Sequence, residues 1–200
     1  MYKAIIFDLG RVLVDFDFQR GFLALEGFCP YDAAEIRRRI AAGDLVERFE
    51  TGLIEPPDFV AQLSGILDLD IDYAGFCRLW SSIFTDPLLP EAMLEGLAAR
   101  YRLVLLSNTN AIHFETIREN YHFLRHFHHS ILSYEVHAMK PRCEIFQAAL
   151  ECCGCRPEEC FYTDDIAAYV EAARRLGIDA VQFESRAQLE RELKARGIGW

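Results

Sequence analysis

The hydrophobic positions of this chain follow two periods, and the change between them divides the molecule. Ala4, Ile5, Ile6 and Phe7 form an unbroken apolar run that stops at a carboxylate, Asp8, and then at Gly10. A run of this length closed by a turn residue predicts a strand buried on both faces, as in a parallel sheet. From residue 19 to about 85 no second strand is predicted. The spacing there is helical over 33–42, 44–51, 58–67 and 73–84. Phe59, Leu63, Ile66 and Leu67 make one stripe, and Phe76, Leu79, Trp80 and Ile83 another. Pro56-Pro57 separates two of these helices, because proline cannot continue a helix interior.

From Pro87 the pattern alternates between strand and helix. Helix 90–100 leads to strand 102–106, helix 111–119 to a short strand at 131–132, helix 144–152 to strand 160–162, and helix 166–176 to strand 180–183. Such alternation predicts an α/β fold, a Rossmann-like doubly wound parallel sheet with helices on both faces. Residues 1–16 and 87–200 form its core domain, and 17–86 a small helical cap domain inserted after the first strand. An insertion at that point leaves from the edge where Asp8 stands, so it can cover that edge and exclude water.

Composition narrows the class. Of 200 residues, 52% are hydrophobic and 26% charged, which is globular usage. No apolar run approaches the roughly 20 residues of a membrane helix, and no signal peptide is expected. Seven cysteines, an odd number that includes the neighbours Cys152 and Cys153, suit a reduced, cytoplasmic protein. A net charge of −10 argues against nucleic acid or an anionic membrane as partner. A small anionic substrate remains compatible, since a metal and local donors capture phosphate whatever the global charge.

Each later strand also ends in polar residues. Strand 102–106 runs into Ser107-Asn108-Thr109-Asn110, and strand 160–162 into Thr163-Asp164-Asp165. Between them comes Met139-Lys140-Pro141, with the proline placed to open the next helix. Ligands of open α/β sheets collect at the carboxyl ends of the strands. Parallel alignment brings Asp8, Ser107, Lys140 and the pair Asp164-Asp165 to one rim. Three carboxylates there would repel unless a cation sits among them, and oxygen-only ligands select a hard ion, Mg²⁺.

With FDLGRVLVD at 7–15, LLSNTN at 105–110, MKP at 139–141 and YTDD at 162–165, the chain resembles the haloacid dehalogenase (HAD) superfamily on its phosphatase side. The span 7–18 is also similar to a bacterial subgroup of sugar-phosphate phosphatases with an FDLG first motif. The resemblance implies a phosphatase acting on a small phosphorylated metabolite such as a sugar phosphate. It implies that Asp8 attacks phosphorus and becomes an aspartyl-phosphate, and that Asp8, the Gly10 carbonyl, Asp164 and Asp165 hold Mg²⁺. Ser107 and the Asn108 N–H would hold a phosphoryl oxygen, while Lys140 offsets charge and fixes the carboxylates.

The chain departs from that pattern at Gly10, where most of these phosphatases carry an acid–base aspartate. Such a group is worth about 10²–10⁴ in rate. Asp15 and Asp17 are the nearest substitutes in sequence. Tyr169 replaces the Asn or Asp often found after the last motif, and His137-Ala138 stands where many relatives have glycine. Two other functions stay open: a phosphate-binding or regulatory protein with weak turnover, and a 2-haloacid dehalogenase, which needs neither that acid nor Mg²⁺. Other clusters read as structure. Cys152, Cys153, Cys155 and Cys160 lack a zinc spacing, His122, His126, His128 and His129 suit a surface turn, and Arg37-Arg38-Arg39 a solvated helix face.

Overall fold

A computed structural model of the chain describes residues 1–200. Its strands are β1 (Ala4–Phe7), β2 (Val14–Phe16), β3 (Phe84–Pro87), β4 (Arg102–Ser107), β5 (His129–Leu132), β6 (Cys160–Asp164) and β7 (Asp179–Gln182). Five of them form a parallel sheet in the order β5-β4-β1-β6-β7. Strand β1 is central, with Ile6 opposite Val104 on one side and Tyr162 on the other. The chain builds outward from β1 to β4 and β5, then returns to build β6 and β7 on the opposite side. The reversal places a crevice at the carboxyl ends of β1, β4 and β6.

The helices are α1 (Phe18–Glu26), α2 (Ala33–Ala41), α3 (Leu45–Glu50), α4 (Pro56–Leu67), α5 (Tyr73–Trp80), α6 (Glu91–Ala98), α7 (Ala111–Asn120), α8 (Ser133–Val136), α9 (Cys143–Cys153), α10 (Ala167–Arg175) and α11 (Arg186–Ala195). Side chains alternate across β1, so Ile5 and Phe7 join a core with α6 and α11, while Ala4 and Ile6 join a second with α9 and α10. The doubly wound sheet expected from the alternation is therefore present. No helix is long and apolar enough to cross a membrane.

Helices α1 to α5 have an apolar cluster of their own, which Ile112 of α7 joins. Its centre is aromatic: Phe49 stacks on Phe59 at 4.0 Å between ring centroids, and Phe59 meets Trp80 edge-on at 5.4 Å. Caps explain where these helices begin. Asp17, Asp32 and Asp72 each accept a hydrogen bond from a backbone N–H of the following first turn.

Three expectations are corrected. Residues 73–84 are not one helix: α5 ends at Trp80, and Phe84 begins β3, which pairs antiparallel with β2 where the chain enters and leaves the helical segment. The stripe ending at Ile83 extended the helical period through a turn, and three-residue β2 is too short to show alternation. Pro56 and Pro57 open α4 at its first two positions rather than standing between helices. Pro141 precedes the N-cap Arg142 and does not itself open α9. Helices α1, α8 and α11, which no stripe indicated, are also present.

Two joints tie the helical segment to the sheet domain. The His113 ring on α7 stacks on Trp80 at 5.5 Å, with Nε2 3.1 Å from the Trp80 carbonyl and Nδ1 3.0 Å from the Asn110 amide nitrogen. Because that amide donates to Nδ1, the proton sits on Nε2 and is donated to Trp80. Burial pushes the His113 pKa down to about 4, so the ring is neutral. At the second joint the His137 ring lies 2.9 Å from the Thr51 carbonyl through Nδ1. Beside it, Gly52 has φ +69°, and a Cβ there would stand 1.9 Å from the Tyr134 carbonyl oxygen. Only glycine fits.

Phe59→Ala empties the centre of the aromatic cluster. Its expected cost is about 3–5 kcal/mol of unfolding free energy, measured by urea denaturation.

Candidate active site

The polar ends of β1, β4 and β6 and the loop that carries Lys140 meet as one constellation. Asp8 follows β1 and continues its pairing, its N–H donating to the Thr163 carbonyl at 3.0 Å. Asp164 ends β6, and Lys140 arrives on the loop between α8 and α9. The Lys140 ammonium donates to Asp8 Oδ1 at 2.7 Å, to Asp164 Oδ2 at 2.6 Å and to the Leu106 carbonyl at 3.1 Å. Those three bonds use all its protons. Asp8, Asp164 and Lys140 are all buried, and one carboxylate oxygen from each of Asp8, Asp164 and Asp165 falls within 4.8 Å of the others.

Burial and neighbouring charge act in opposite directions here. Burial pushes the Asp8 carboxyl up to about 7, against the pull of the Lys140 charge, and the negative charge of Asp164 adds to the rise. Burial alone would lower Lys140, but the two carboxylates outweigh it and hold the ammonium above its ordinary range. Asp165 is raised by burial and then by Asp164. Three acids around one ammonium leave a surplus of negative charge, and all their donors are hard oxygens. The set fits a divalent cation such as Mg²⁺.

The supporting side chains are specific. Asn108 Oδ1 accepts from the Lys140 N–H at 2.8 Å while its Nδ2 donates to the Lys140 carbonyl at 3.0 Å. Its side chain is thus spent on positioning the lysine, and only its backbone N–H is left for a ligand. Asp164 accepts from the Tyr162 hydroxyl through Oδ2 and from the Ile166 N–H through Oδ1 at 2.8 Å. Tyr162, the first residue of the YTDD run and without a role of its own in that motif, lies two residues before Asp164 and so on the same strand face. Tyr169 takes its place in the site too: its ring lies 5.1 Å from Lys140 Nζ, and its hydroxyl accepts from Asn108 Nδ2 at 3.4 Å. Ser107 is buried at the end of β4, and the loop after it is pinned where Ser133 Oγ bonds both the N–H and the carbonyl of Thr109 at 2.9 Å.

A narrow cavity of about 70 Å³ adjoins these groups, lined by Gly10, Phe16, Ser107, Asn108 and Thr109 and, from the helical segment, by Glu50 among others. Gly10 is hemmed in: a Cβ built there would stand 2.6 Å from Phe16 Cε1. The two substitute acids lie elsewhere. Asp15 is exposed and accepts from the Phe16 N–H, and Asp17 caps α1. His137 serves the Thr51 joint instead of the site. The remaining clusters are individually engaged: Cys153 and Cys160 pack in the second core, His126 meets Glu91, and Arg38 and Arg39 pair with Glu35. A wider cleft of about 430 Å³ between α5 and α7 contains none of the strand-end residues.

A doubly wound sheet whose strand ends carry this lysine-centred acid cluster defines a class, and the chain belongs to it: a model of the haloacid dehalogenase-like hydrolase family matches residues 2–177. Among curated proteins, the chain is 26% identical over 203 residues to D-ribitol-5-phosphate phosphatase of Bacteroides thetaiotaomicron, covering 96% of this chain and 97% of that one. Among solved structures, HAD family enzyme BT-2542 of the same organism, in complex with magnesium and inorganic phosphate, is 28% identical with a TM-score of 0.81, covering 93% of this chain and 96% of that one. L-2-haloacid dehalogenase of Xanthobacter autotrophicus shares the fold at a TM-score of 0.64 and 21% identity, covering 100% of this chain and 85% of that one.

Two outcomes follow from this geometry. Lys140→Met leaves two buried carboxylates without their cation, with an expected loss of about 3–5 kcal/mol in denaturant unfolding. Gly10→Ala crowds Phe16 and is expected to cost about 1–3 kcal/mol. Adding Phe16→Ala should recover part of that cost, read as non-additivity in a double-mutant cycle.

Proposed function

We propose that this protein is a Mg²⁺-dependent phosphatase that hydrolyses a small phosphorylated metabolite, a sugar phosphate, through an aspartyl-phosphate on Asp8. The observation that carries the reading is the convergence of the Asp8, Asp164 and Asp165 carboxylates at the rim of the sheet, the first two of them bonded to Lys140. The phosphatase name of the Bacteroides relative and the magnesium and phosphate bound in its structural neighbour support it.

The carboxylates of Asp8, Asp164 and Asp165 and the Gly10 carbonyl would hold the metal. Bound there, Mg²⁺ neutralises charge so that a phosphate dianion can approach a carboxylate. Asp8 attacks phosphorus and the bond to the leaving oxygen breaks, after which water hydrolyses the aspartyl-phosphate. Lys140 keeps Asp8 and Asp164 aimed at the same place, since both their bonds come from one buried nitrogen. The Ser107 hydroxyl and the Asn108 N–H hold a phosphoryl oxygen. Residues 17–86 serve as the cap over a core of 1–16 and 87–200, with the His113 and His137 joints fixing its position.

A panel of sugar phosphates that includes D-ribitol 5-phosphate tests this reading by inorganic phosphate release. Release is expected with Mg²⁺ and is expected to fall to background with EDTA or in Asp8→Asn. Halide release from a 2-haloacid in EDTA would establish the dehalogenase instead. Phosphate binding without release from any substrate would establish a binding protein.

A further inference from the structure

Gly10 leaves the reaction without a proton donor at the position where the general phosphatase pattern has an aspartate, and the Phe16 ring fills the adjoining space. The cavity over the strand ends is lined by two titratable side chains, His113 and Glu50. His113 is committed: one ring nitrogen accepts from Asn110 and the other donates to the Trp80 carbonyl. Glu50 is not. It ends α3 in the helical segment, partly buried, and neither a cation nor a hydrogen-bond donor offsets its burial.

The neighbours of Glu50 in the chain are fixed on both sides. Phe49 stacks on Phe59 at 4.0 Å, the Thr51 carbonyl is held by His137 at 2.9 Å, and Gly52 lies against the Tyr134 carbonyl. A carboxyl between two such anchors is held over the cavity by the fold rather than by bonds of its own, which leaves its oxygens free for a substrate. The ionisable groups on elements packed against α3 are Asp58 of α4, Tyr134 and Glu135 of α8 and His137 at the end of α8. None of them neutralises Glu50, and Glu47 on its own helix adds negative charge.

We propose that Glu50 is the acid–base residue of this reaction, supplied by the helical segment in place of the side chain missing at Gly10. The inference rests on the phosphatase reading above. In the first step Asp8 forms its bond to phosphorus, the phosphorus–oxygen bond to the sugar breaks, and the Glu50 carboxyl gives its proton to the departing oxygen. In the second step the Glu50 carboxylate takes a proton from water as the water oxygen bonds phosphorus. The Asp8–phosphorus bond then breaks, releasing phosphate and restoring both acids. Burial, reinforced by Glu47, pushes the Glu50 carboxyl up to about 7. A group poised there is protonated often enough to act as acid and ionised often enough to act as base. Because the acid sits on the helical segment, only the closed arrangement is competent, and its joints become part of catalysis.

Glu50→Gln keeps the size of the side chain and removes the proton. With a sugar phosphate, whose alkoxide leaves poorly, turnover should fall about 10²–10⁴-fold. With p-nitrophenyl phosphate, whose leaving group needs no proton, the variant should release one equivalent of nitrophenol at the wild-type rate and then turn over slowly as the aspartyl-phosphate accumulates. Glu50→Ala should lose sugar-phosphate turnover equally and regain part of it in added formate. Equal slowing of the nitrophenol burst and of sugar-phosphate cleavage, with unfolding midpoints unchanged, would assign Glu50 a structural role and overturn the proposal. So would wild-type turnover of sugar phosphates by Glu50→Gln. Failure of the wild type itself to release phosphate from either substrate would instead overturn the phosphatase reading on which this one rests.

Discussion

One buried ammonium organises the reactive edge of this molecule. Lys140 reaches two carboxylates that lie at the ends of neighbouring strands, and it also bonds the carbonyl of Leu106 in a third strand. Removing three charges from water costs several kcal/mol each, and the arrangement is stable only because every proton of the lysine is placed. Its backbone is clipped on both sides by the Asn108 amide, so the loop after β4 and the loop before α9 move as one unit. The ends of β1, β4 and β6 are thereby locked at a common level. That lock gives the site its precision and also its charge surplus, since one positive group faces three acids.

The helical segment is held to this edge by backbone acceptors rather than by ion pairs. His113 grips the carbonyl of Trp80, His137 that of Thr51, and the β2–β3 ribbon carries the two crossings of the chain. Contacts of this type do not weaken in salt as surface ion pairs do. Each also requires particular local geometry. Gly52 takes a left-handed φ so that the Tyr134 carbonyl can approach, and Asn110 orients the His113 ring while capping α7. The segment is consequently docked as a body, and residues on α3 inherit that fixity.

The sheet was legible in the sequence because its strands are buried on both faces and end abruptly in polar residues, as at Phe7-Asp8 and Leu106-Ser107. The polar ends in turn made the gathering of Asp8, Lys140 and Asp164 foreseeable from topology alone. What escaped were features made by the fold rather than by period. Strand β3 hid behind an apolar stripe that happened to continue at helical spacing through Ile83. The His113 joint carries no pattern, because a histidine in a helix acquires meaning only when a carbonyl 33 residues away is brought against it. Glu50 is one of 31 acidic residues, and nothing in its neighbourhood along the chain separates it from Glu47. Its distinction is burial beside a cavity, which periodicity does not encode.

Phe16 links these two levels. Its ring leaves no room for a side chain at position 10, it packs against Phe18 at 5.0 Å, and the Arg11 guanidinium lies over it at 5.1 Å. The turn after β1 is therefore apolar where a proton donor would otherwise stand. An apolar wall there lowers the local dielectric and strengthens every charge interaction in the cavity, but it cannot protonate an alkoxide. Chemistry on a poor leaving group then requires the proton from another side chain of the cavity lining, one that the helical segment supplies. Transfer of the acid from the strand turn to α3 would make turnover contingent on closure, a coupling that an acid at position 10 does not impose.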